Sequence, residues 1–370
     1  MKQNIPKGWR MQRFGEVINE NNKSSIKVRD AFTSGGFPFF SNGEKVLNYS
    51  KSIIDGKNIF MNTGGMAGVK FFDGDAAYST DIYSFESKDN TKYLYYLLLN
   101  SIEKINEKFF SGSGLKHLQK NNFKNFEFIF PRVDEQEKIV DILSTVDEEI
   151  QKADKIISHI EKLKKGLLRN IFKKNNLVFL DRITNRGSGH TPNKQHPEYW
   201  NGSIKWVSLA DSNKLDNRYI TKTDKEISTT GIERSSAVFH TKNTVIVCRD
   251  AAIGRVSILG EDNMAVSQHF IAWQCGEKID FKYLYYWLQS QSVYMQRIAT
   301  GTTIKTIGLS FFKKLQIPLP NITEQIRVGV AMWAIDDKIS VNKTFKKKLI
   351  QLKKGLMQDL LSGKIIVKIK

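Results

Sequence analysis

The chain repeats itself, and a repeat at one fixed distance constrains a fold more than composition does. Lys92-Tyr93-Leu94-Tyr95-Tyr96 returns as Lys282-Tyr283-Leu284-Tyr285-Tyr286, 190 residues on. From there the distance settles at 189. Gly112-Ser113-Gly114-Leu115-Lys116 matches Gly301-Thr302-Thr303-Ile304-Lys305, and Phe123-Lys124 matches Phe312-Lys313. Pro131 followed by Glu135-Gln136 matches Pro320 followed by Glu324-Gln325. Asp147 and Ile150 match Asp336 and Ile339, and Lys164-Lys165-Gly166-Leu167 matches Lys353-Lys354-Gly355-Leu356. Chance does not hold one register over so many residues, so the chain is an internal duplication. The front parts diverge: Phe14 to Val17 pairs best with Leu180 to Ile183, only 166 residues on. The second copy therefore carries about 23 extra residues in its front part. Each copy is a variable globular part followed by a constant tail.

The tails read as long helices. Ile139, Leu143, Val146, Ile150, Ala153, Ile157 and Ile160 alternate steps of four and three, a heptad seam. It then shifts to Leu163, Leu167 and Ile171, a stutter. Asp134 and Glu135 suit the start of a helix, and Lys164, Lys165 and Arg169 suit its end. At 1.5 Å per residue, 39 residues make a rod of about 58 Å, the length of a spacer. The second tail repeats the seam with Val328, Met332, Ile335, Ile339, Leu349, Leu352, Leu356 and Leu360, broken at Asn342 and Lys346. Polar seam residues cost stability and fix register. Each tail has one apolar stripe, so the simplest packing sets one tail against the other. The expected organisation is a globular domain at 1–133, a helical spacer at 134–174, a second domain at 175–320 and a second spacer at 321–370.

Charge bounds the partner. With 57 Lys+Arg against 38 Asp+Glu the chain carries +19. Residues 1–133 and 175–320 hold +6 each, residues 134–174 are neutral and residues 321–370 hold +7. Such a surplus points to a polyanion, nucleic acid before an anionic membrane surface, against the plainer reading of a Lys-rich protein with no such partner. No apolar run nears the ~20 residues that span a bilayer, and Met1 to Arg10 lacks the apolar core of a secretion signal. The expected location is the cytoplasm, with no membrane partner. Cys248 and Cys275 are too few for a disulfide framework or a four-cysteine zinc site.

Both globular parts read as mixed strand and helix. Residues 245–259 suggest two strands around a glycine-containing turn, and Asn58 to Phe72 the corresponding hairpin. Residues 91–108 and 281–298 suggest helices, with Lys-Tyr-Leu-Tyr-Tyr packing each helix on its sheet in preference to stacking on bases. The Gly-Ser-Gly-Leu-Lys and Gly-Thr-Thr-Ile-Lys segments fit a phosphate-binding loop or a helix end with a turn equally well. Thr191-Pro192, Tyr199-Trp200-Asn201-Gly202 and Ile204-Lys205-Trp206 fit either a groove-reading loop or core anchors.

Catalytic motifs are missing. No two prolines are adjacent, so the Asn/Asp-Pro-Pro-aromatic motif of adenine and N4-cytosine methyltransferases is not present. No Gly-x-x-x-x-Gly-Lys-Ser/Thr phosphate loop occurs. The six histidines show no His-x-x-x-His spacing. Cys248 sits in an apolar run and reads as a buried thiol, and paired carboxylates brought together only in space stay open.

Two diverged basic domains, each followed by a matching helix, resemble the specificity subunit of type I restriction-modification systems. Pro131-Arg-Val-Asp-Glu-Gln and Pro320-Asn-Ile-Thr-Glu-Gln look like that family's Pro-x-x-x-Glu-Gln lead into each conserved helix. Lys353-Lys-Gly-Leu-Met-Gln-Asp-Leu-Leu-Ser-Gly-Lys364 looks like its C-terminal signature. Thr191-Pro192 with Tyr199-Trp200-Asn201-Gly202 resembles one kind of recognition-domain start, and Phe37-Pro38-Phe39-Phe40-Ser41 the other, with Phe for the usual Tyr. The resemblance implies an α+β fold: two target-recognition domains, each a mixed sheet with helices, separated by two long helices in an intramolecular antiparallel coiled coil. It implies a non-catalytic subunit that reads one half of a split, asymmetric double-stranded DNA target with each domain. It further implies two modification (methyltransferase) subunits docked on the helices, and motor-nuclease restriction subunits. S-adenosylmethionine, ATP and Mg²⁺ would bind those partners, and no cofactor or metal this chain. The alternatives are the specificity subunit of a related system that cuts both sides of its site, or a non-catalytic nucleic-acid-binding scaffold.

On this basis the expected DNA contacts are Lys116 and Lys305 in the repeated loops, and Arg249 and Arg255 flanking the hairpin turn. Arg186, His190 and Lys194 belong to the segment before Trp200. Gln268 and His269, with Thr80 and Asp81 at the matching place, are the candidates to reach bases.

Overall fold

A computed structural model describes residues 5–173 and 176–368; the domain boundary expected between 174 and 175 lies outside them. The chain divides into two compact units, Met1–Lys155 with Thr344–Lys370, and Ile156–Lys343. The long helices run over Val133–Ile171 and Ile322–Leu361, so each contributes to both units.

The first unit holds an antiparallel sheet in the order Ile18–Glu20, Ile82–Ser87, Lys57–Asn62, Val69–Asp73. Beside it a three-stranded sheet runs Leu47–Tyr49, Phe37–Phe40, Ala77–Tyr78, its last pair parallel. The second unit repeats this scheme. Thr184–Ser188, Phe270–Cys275, Val245–Cys248 and Val256–Leu259 form the large sheet, with Tyr219–Ile220 added at its edge. Lys225–Ile227, Trp200–Val207 and Ala265–Val266 form the small one, again with a parallel last pair. The added strand and the 3₁₀ helix Leu209–Asp216 lie between Trp200–Val207 and Lys225–Ile227. The corresponding connection in the first unit, residues 41–46, is short, so much of the extra length of the second copy sits here. Val245–Cys248 is covered on both faces and is apolar at every position, as a central strand requires.

The repeat extends to single bonds. Phe14 and Leu180, both fully buried, each open a 3₁₀ turn. The Phe14 amide donates to the Phe126 carbonyl at 2.8 Å, and the Leu180 amide to the Leu315 carbonyl at 2.9 Å. Asn90 caps the helix Thr91–Asn100 by accepting from the Tyr93 amide, and Asp280 caps Phe281–Ile298 by accepting from Lys282 and Tyr283. Tyr93, Tyr96, Tyr283 and Tyr286 are buried, so the Lys-Tyr-Leu-Tyr-Tyr segments are core.

The two glutamines of the helix lead-ins are buried for a visible reason. Gln136 Nε2 donates to the Pro131 carbonyl at 3.2 Å, and Gln325 Nε2 to Pro320 at 2.8 Å. Gln325 also donates to Lys278 O and accepts from the Asp280 amide, tying the second long helix to the start of the domain helix. Glu135 accepts from the Trp9 indole at 3.1 Å.

Within each unit the long helices pair in antiparallel fashion, in one chain. In the first unit Asp147 meets Lys353 and Asp154 meets Lys346, each at 2.6 Å. In the second, Glu161 meets Lys343 at 2.7 Å and Lys164 meets Asp336 at 2.6 Å. Lys346, the polar break in the seam, is thus a partner of Asp154. Ile139, Leu143, Met357, Leu360 and Leu361 join the first core, and Val328 and Met332 the second. Two seam expectations fail: Leu163 is 56% exposed and Leu352 51%. At the stutter the helix turns Lys164 inward onto Asp336, and in the matching place Lys353 turns onto Asp147. The leucine one residue earlier is rotated out by about 100°. Among the described residues no helix is long and apolar enough to cross a membrane.

Candidate nucleic-acid interface

In each unit three loops meet through the same backbone hydrogen bonds. In the second unit the Arg249 amide donates to His269 O (2.9 Å), the Ala251 amide to Lys305 O (3.1 Å), and the Ile307 amide to Arg249 O (3.0 Å). In the first unit Thr63 donates to Asp81 O (3.0 Å), Gly65 to Lys116 O (2.8 Å), and Leu118 to Thr63 O (2.9 Å). Gly65 and Ala251 share a left-handed conformation, φ +78° and +57°. Thr80-Asp81 and Gln268-His269 therefore occupy equivalent places, one residue beyond Ser79 and Ser267, whose carbonyls accept from Ile82 and Phe270.

The repeated glycine loops are hairpin tips. Phe110–Ser111 pairs with His117–Leu118, and Thr300 bridges Thr306. Gly112 and Gly301 stand at φ +151° and +124°. A Cβ there would lie 2.6 Å from Leu115 O and 2.3 Å from Ile304 O, so the turn excludes any side chain. Residues 111–117 and 301–305 are exposed, with Lys116 and Lys305 on the tips.

In the second unit side chains knit the junction together. Asp250 is 9% exposed. Its Oδ2 lies 2.7 Å from His269 Nδ1, and its Oδ1 accepts the Thr306 hydroxyl. Arg249 Nε donates to Ile307 O at 2.8 Å, and the Thr191 hydroxyl donates to Gln268. In the first unit Gly64 and His117 take the bridge positions of Asp250 and Thr306. Sequence reasoning missed Asp250 and Thr306; the signal on offer was a carboxylate two residues past the end of the four-residue apolar strand Val245–Cys248, next to Arg249.

The segment before Trp200 closes over this junction. The His190 amide donates to Val266 O at 3.1 Å, and Trp206 Nε1 donates to His190 O at 3.0 Å. A Cβ on Gly189 would sit 1.8 Å from Val266 O, so only glycine permits the approach. Trp206 is buried and meets the half-buried Trp200 edge-to-face at 5.2 Å. Both tryptophans are anchors of this segment. Lys194 is exposed on it.

Arg249, Gln268, His269, Lys305 and the segment bearing His190 and Lys194 are thus brought together. Arg186 and Arg255 are not. Arg186 Nε binds Asp181 at 2.8 Å, and Arg255 binds Ser212 O at 2.9 Å and reaches Asp216. Both side chains hold their own neighbourhoods. Burial pushes the Cys248 thiol up to about 11, and Sγ donates to Asp250 O at 3.0 Å, so it is a protonated core thiol.

Comparison with known proteins gives one family. The family described as type I restriction modification DNA specificity domain matches residues 6–162 and 173–351. The type I restriction enzyme MjaVIII specificity subunit of Methanocaldococcus jannaschii is 24% identical over 414 residues, covering 98% of this chain and 94% of that protein. The EcoR124I/EcoR124II specificity subunit of Escherichia coli is 29% identical over 38% of this chain and 35% of its own length. The crystal structure of the type I S subunit from M. genitalium has the same fold at a TM-score of 0.66 and 15% identity, covering 100% of this chain and 98% of that one.

Proposed function

The chain belongs to the type I restriction modification DNA specificity family, and we propose that each unit presents its three-loop junction to one half of a bipartite DNA target. The chain is the sequence-specific recognition subunit of such a complex. In this reading residues 1–133 and 175–320 read DNA, and 134–174 and 321–370 are the spacers. The observation that carries it is the repeated junction: the same backbone bonds, an exposed Lys-bearing hairpin tip, and different side chains at the equivalent places. The shared scaffold supports shared phosphate contacts by Lys116 and Lys305, which position without reading sequence. The diverged residues, Thr80 and Asp81 against Gln268 and His269, suit base-edge reading in the groove. Arg249 and the His190–Lys194 segment add to the second surface. Because Asp250 engages His269 Nδ1, Nε2 is the ring atom offered to DNA.

The chain itself performs no catalysis in this proposal. S-adenosylmethionine chemistry belongs to two modification subunits, and ATP and Mg²⁺ to motor-nuclease subunits. Docking of two equal modification subunits is supported by a second duplication. Ile156 and Leu163 on the first long helix, and Phe345 and Leu352 at the matching places on the second, are exposed apolar residues. Beside each lies a mid-helix glycine, Gly166 or Gly355, with open space where a side chain would be. Glycine costs a helix about 1 kcal/mol relative to alanine. Among the described residues no atom lies within 4 Å of a side chain built at either glycine, so the space suits a closely approaching partner.

Sequencing methylated sites in cells carrying this chain with its partner genes tests the proposal. A two-part target is expected, and replacing residues 175–320 by those of a relative changes one half only. An unchanged target, or a change in both halves, overturns it.

A further inference from the structure

Each unit contains a charged clamp of three residues drawn from three helices. In the first unit Tyr96, on the domain helix Thr91–Asn100, donates to Asp147 Oδ2 at 2.7 Å. Asp147 lies on the first long helix, and its Oδ1 meets Lys353 Nζ of the second at 2.6 Å. Lys353 Nζ also stands 5.2 Å from the Tyr96 ring centre. In the second unit Tyr286 donates to Asp336 Oδ2 at 2.8 Å, Asp336 Oδ1 meets Lys164 at 2.6 Å, and Lys164 stands 5.1 Å from the Tyr286 ring centre. Burial pushes both tyrosine hydroxyls up, so they remain donors at neutral pH. The ions are mostly withdrawn from water, with Lys353 16% and Lys164 18% exposed.

The wiring is crossed. In each clamp the aspartate comes from the long helix that follows its own domain, and the lysine comes from the other long helix. The repeated Lys-Lys-Gly-Leu segments, which the reading of DNA did not use, supply both lysines. The apolar cores around the clamps are non-directional; leucine on isoleucine resists a slip only weakly. A partly buried ion pair adds little net stability, because desolvation offsets most of the attraction. What it does select is register, as polar residues in helix seams do. A slip of one heptad moves one helix about 10 Å along the other, roughly three base pairs of duplex rise, and separates both clamps.

We propose that the Tyr96–Asp147–Lys353 and Tyr286–Asp336–Lys164 clamps are register locks of the helix pair, and through it determinants of the unread gap between the two half-sites. This rests on the bipartite reading above. The six residues are positioning residues and touch no DNA.

The test replaces both ion pairs by apolar residues in the full chain, Lys164→Met with Asp336→Leu and Lys353→Met with Asp147→Leu, and sequences methylated sites with the partner subunits present. The wild-type chain in parallel reports whether the target is bipartite at all, so failure of that reading is seen separately. The expected result is a thermal midpoint close to wild type, both half-site sequences unchanged, and methylation spreading to gaps shifted by one base pair or more. A single unchanged gap in a folded variant overturns the proposal. A second variant, Tyr96→Phe with Tyr286→Phe, removes only the hydroxyls and keeps the cores. It is expected to broaden the gap to a smaller extent. Should the apolar variant fail to fold, a gap unchanged in this mild variant counts against the clamps.

Discussion

Removing the Asp250 carboxylate separates the reading of sequence from the holding of DNA. Asp250→Ala deprives His269 Nδ1 and the Thr306 hydroxyl of their shared acceptor. Each such bond contributes about 1 kcal/mol net, and a partly buried donor left unmatched costs somewhat more. The sum is roughly 2–3 kcal/mol, or about 4–12 °C in the melting of a unit of this size. The larger consequence is for DNA. His269 and the hairpin ending at Thr306 lose their common tie to the turn that bears Arg249. A good base contact discriminates by about 1–3 kcal/mol, so preference at the second half-site should fall by roughly 5- to 150-fold. The first half-site should be read as before, because Gly64 stands where Asp250 stands and that junction is held by backbone bonds. Asp250→Asn keeps the shape and one acceptor and should fall between. The assay is methylated-site sequencing scored separately for each half, with thermal unfolding alongside. Lower stability with an intact second half-site, or equal loss in both halves, refutes the reasoning.

Lys305→Ala should weaken DNA binding and reduce the slope of log K against log salt by about one, as the loss of one phosphate contact requires; titrations at several salt concentrations measure this, and an unchanged slope removes Lys305 from the phosphate contacts. Leu163→Glu combined with Leu352→Glu should abolish co-purification of the modification subunits while leaving the melting midpoint within the small range of surface changes; retained assembly refutes docking there. His240 is buried, and burial lowers its imidazole to about 4 from the ordinary 6.5. Between those values the unfolded chain binds the extra proton, so this contribution is complete above about 6.5. It is lost as pH falls, by up to about 1.4 kcal/mol per unit. Denaturant midpoints at pH about 7 and about 5 should therefore differ less in His240→Leu than in the wild type, and an equal difference refutes the assignment.

What the sequence showed and what it hid divide along one line, between local pattern and contact across the chain. The duplication was legible because 189-residue spacing is a property of the string, and it foretold that the glycine loops of the two copies match; that each is the tip of a hairpin, and not the end of a helix, depends on pairing the string does not show. Heptad spacing foretold both long helices. It placed Leu163 and Leu352 in the seam because spacing counts apolar residues and cannot see a neighbour. Each leucine is displaced by a lysine that reaches an aspartate and a tyrosine from two other helices. Arg186 and Arg255 looked like free cations because Asp181 and Ser212, which hold them, were not read as partners. Asp250 looked like one more turn residue. Its role exists only where 250, 269 and 306 meet, and the charge total that first pointed to DNA counts it with the wrong sign. Its carboxylate acts by position and not by charge: it ties His269 and Thr306 to the turn that bears Arg249, and so holds the cationic loops in place.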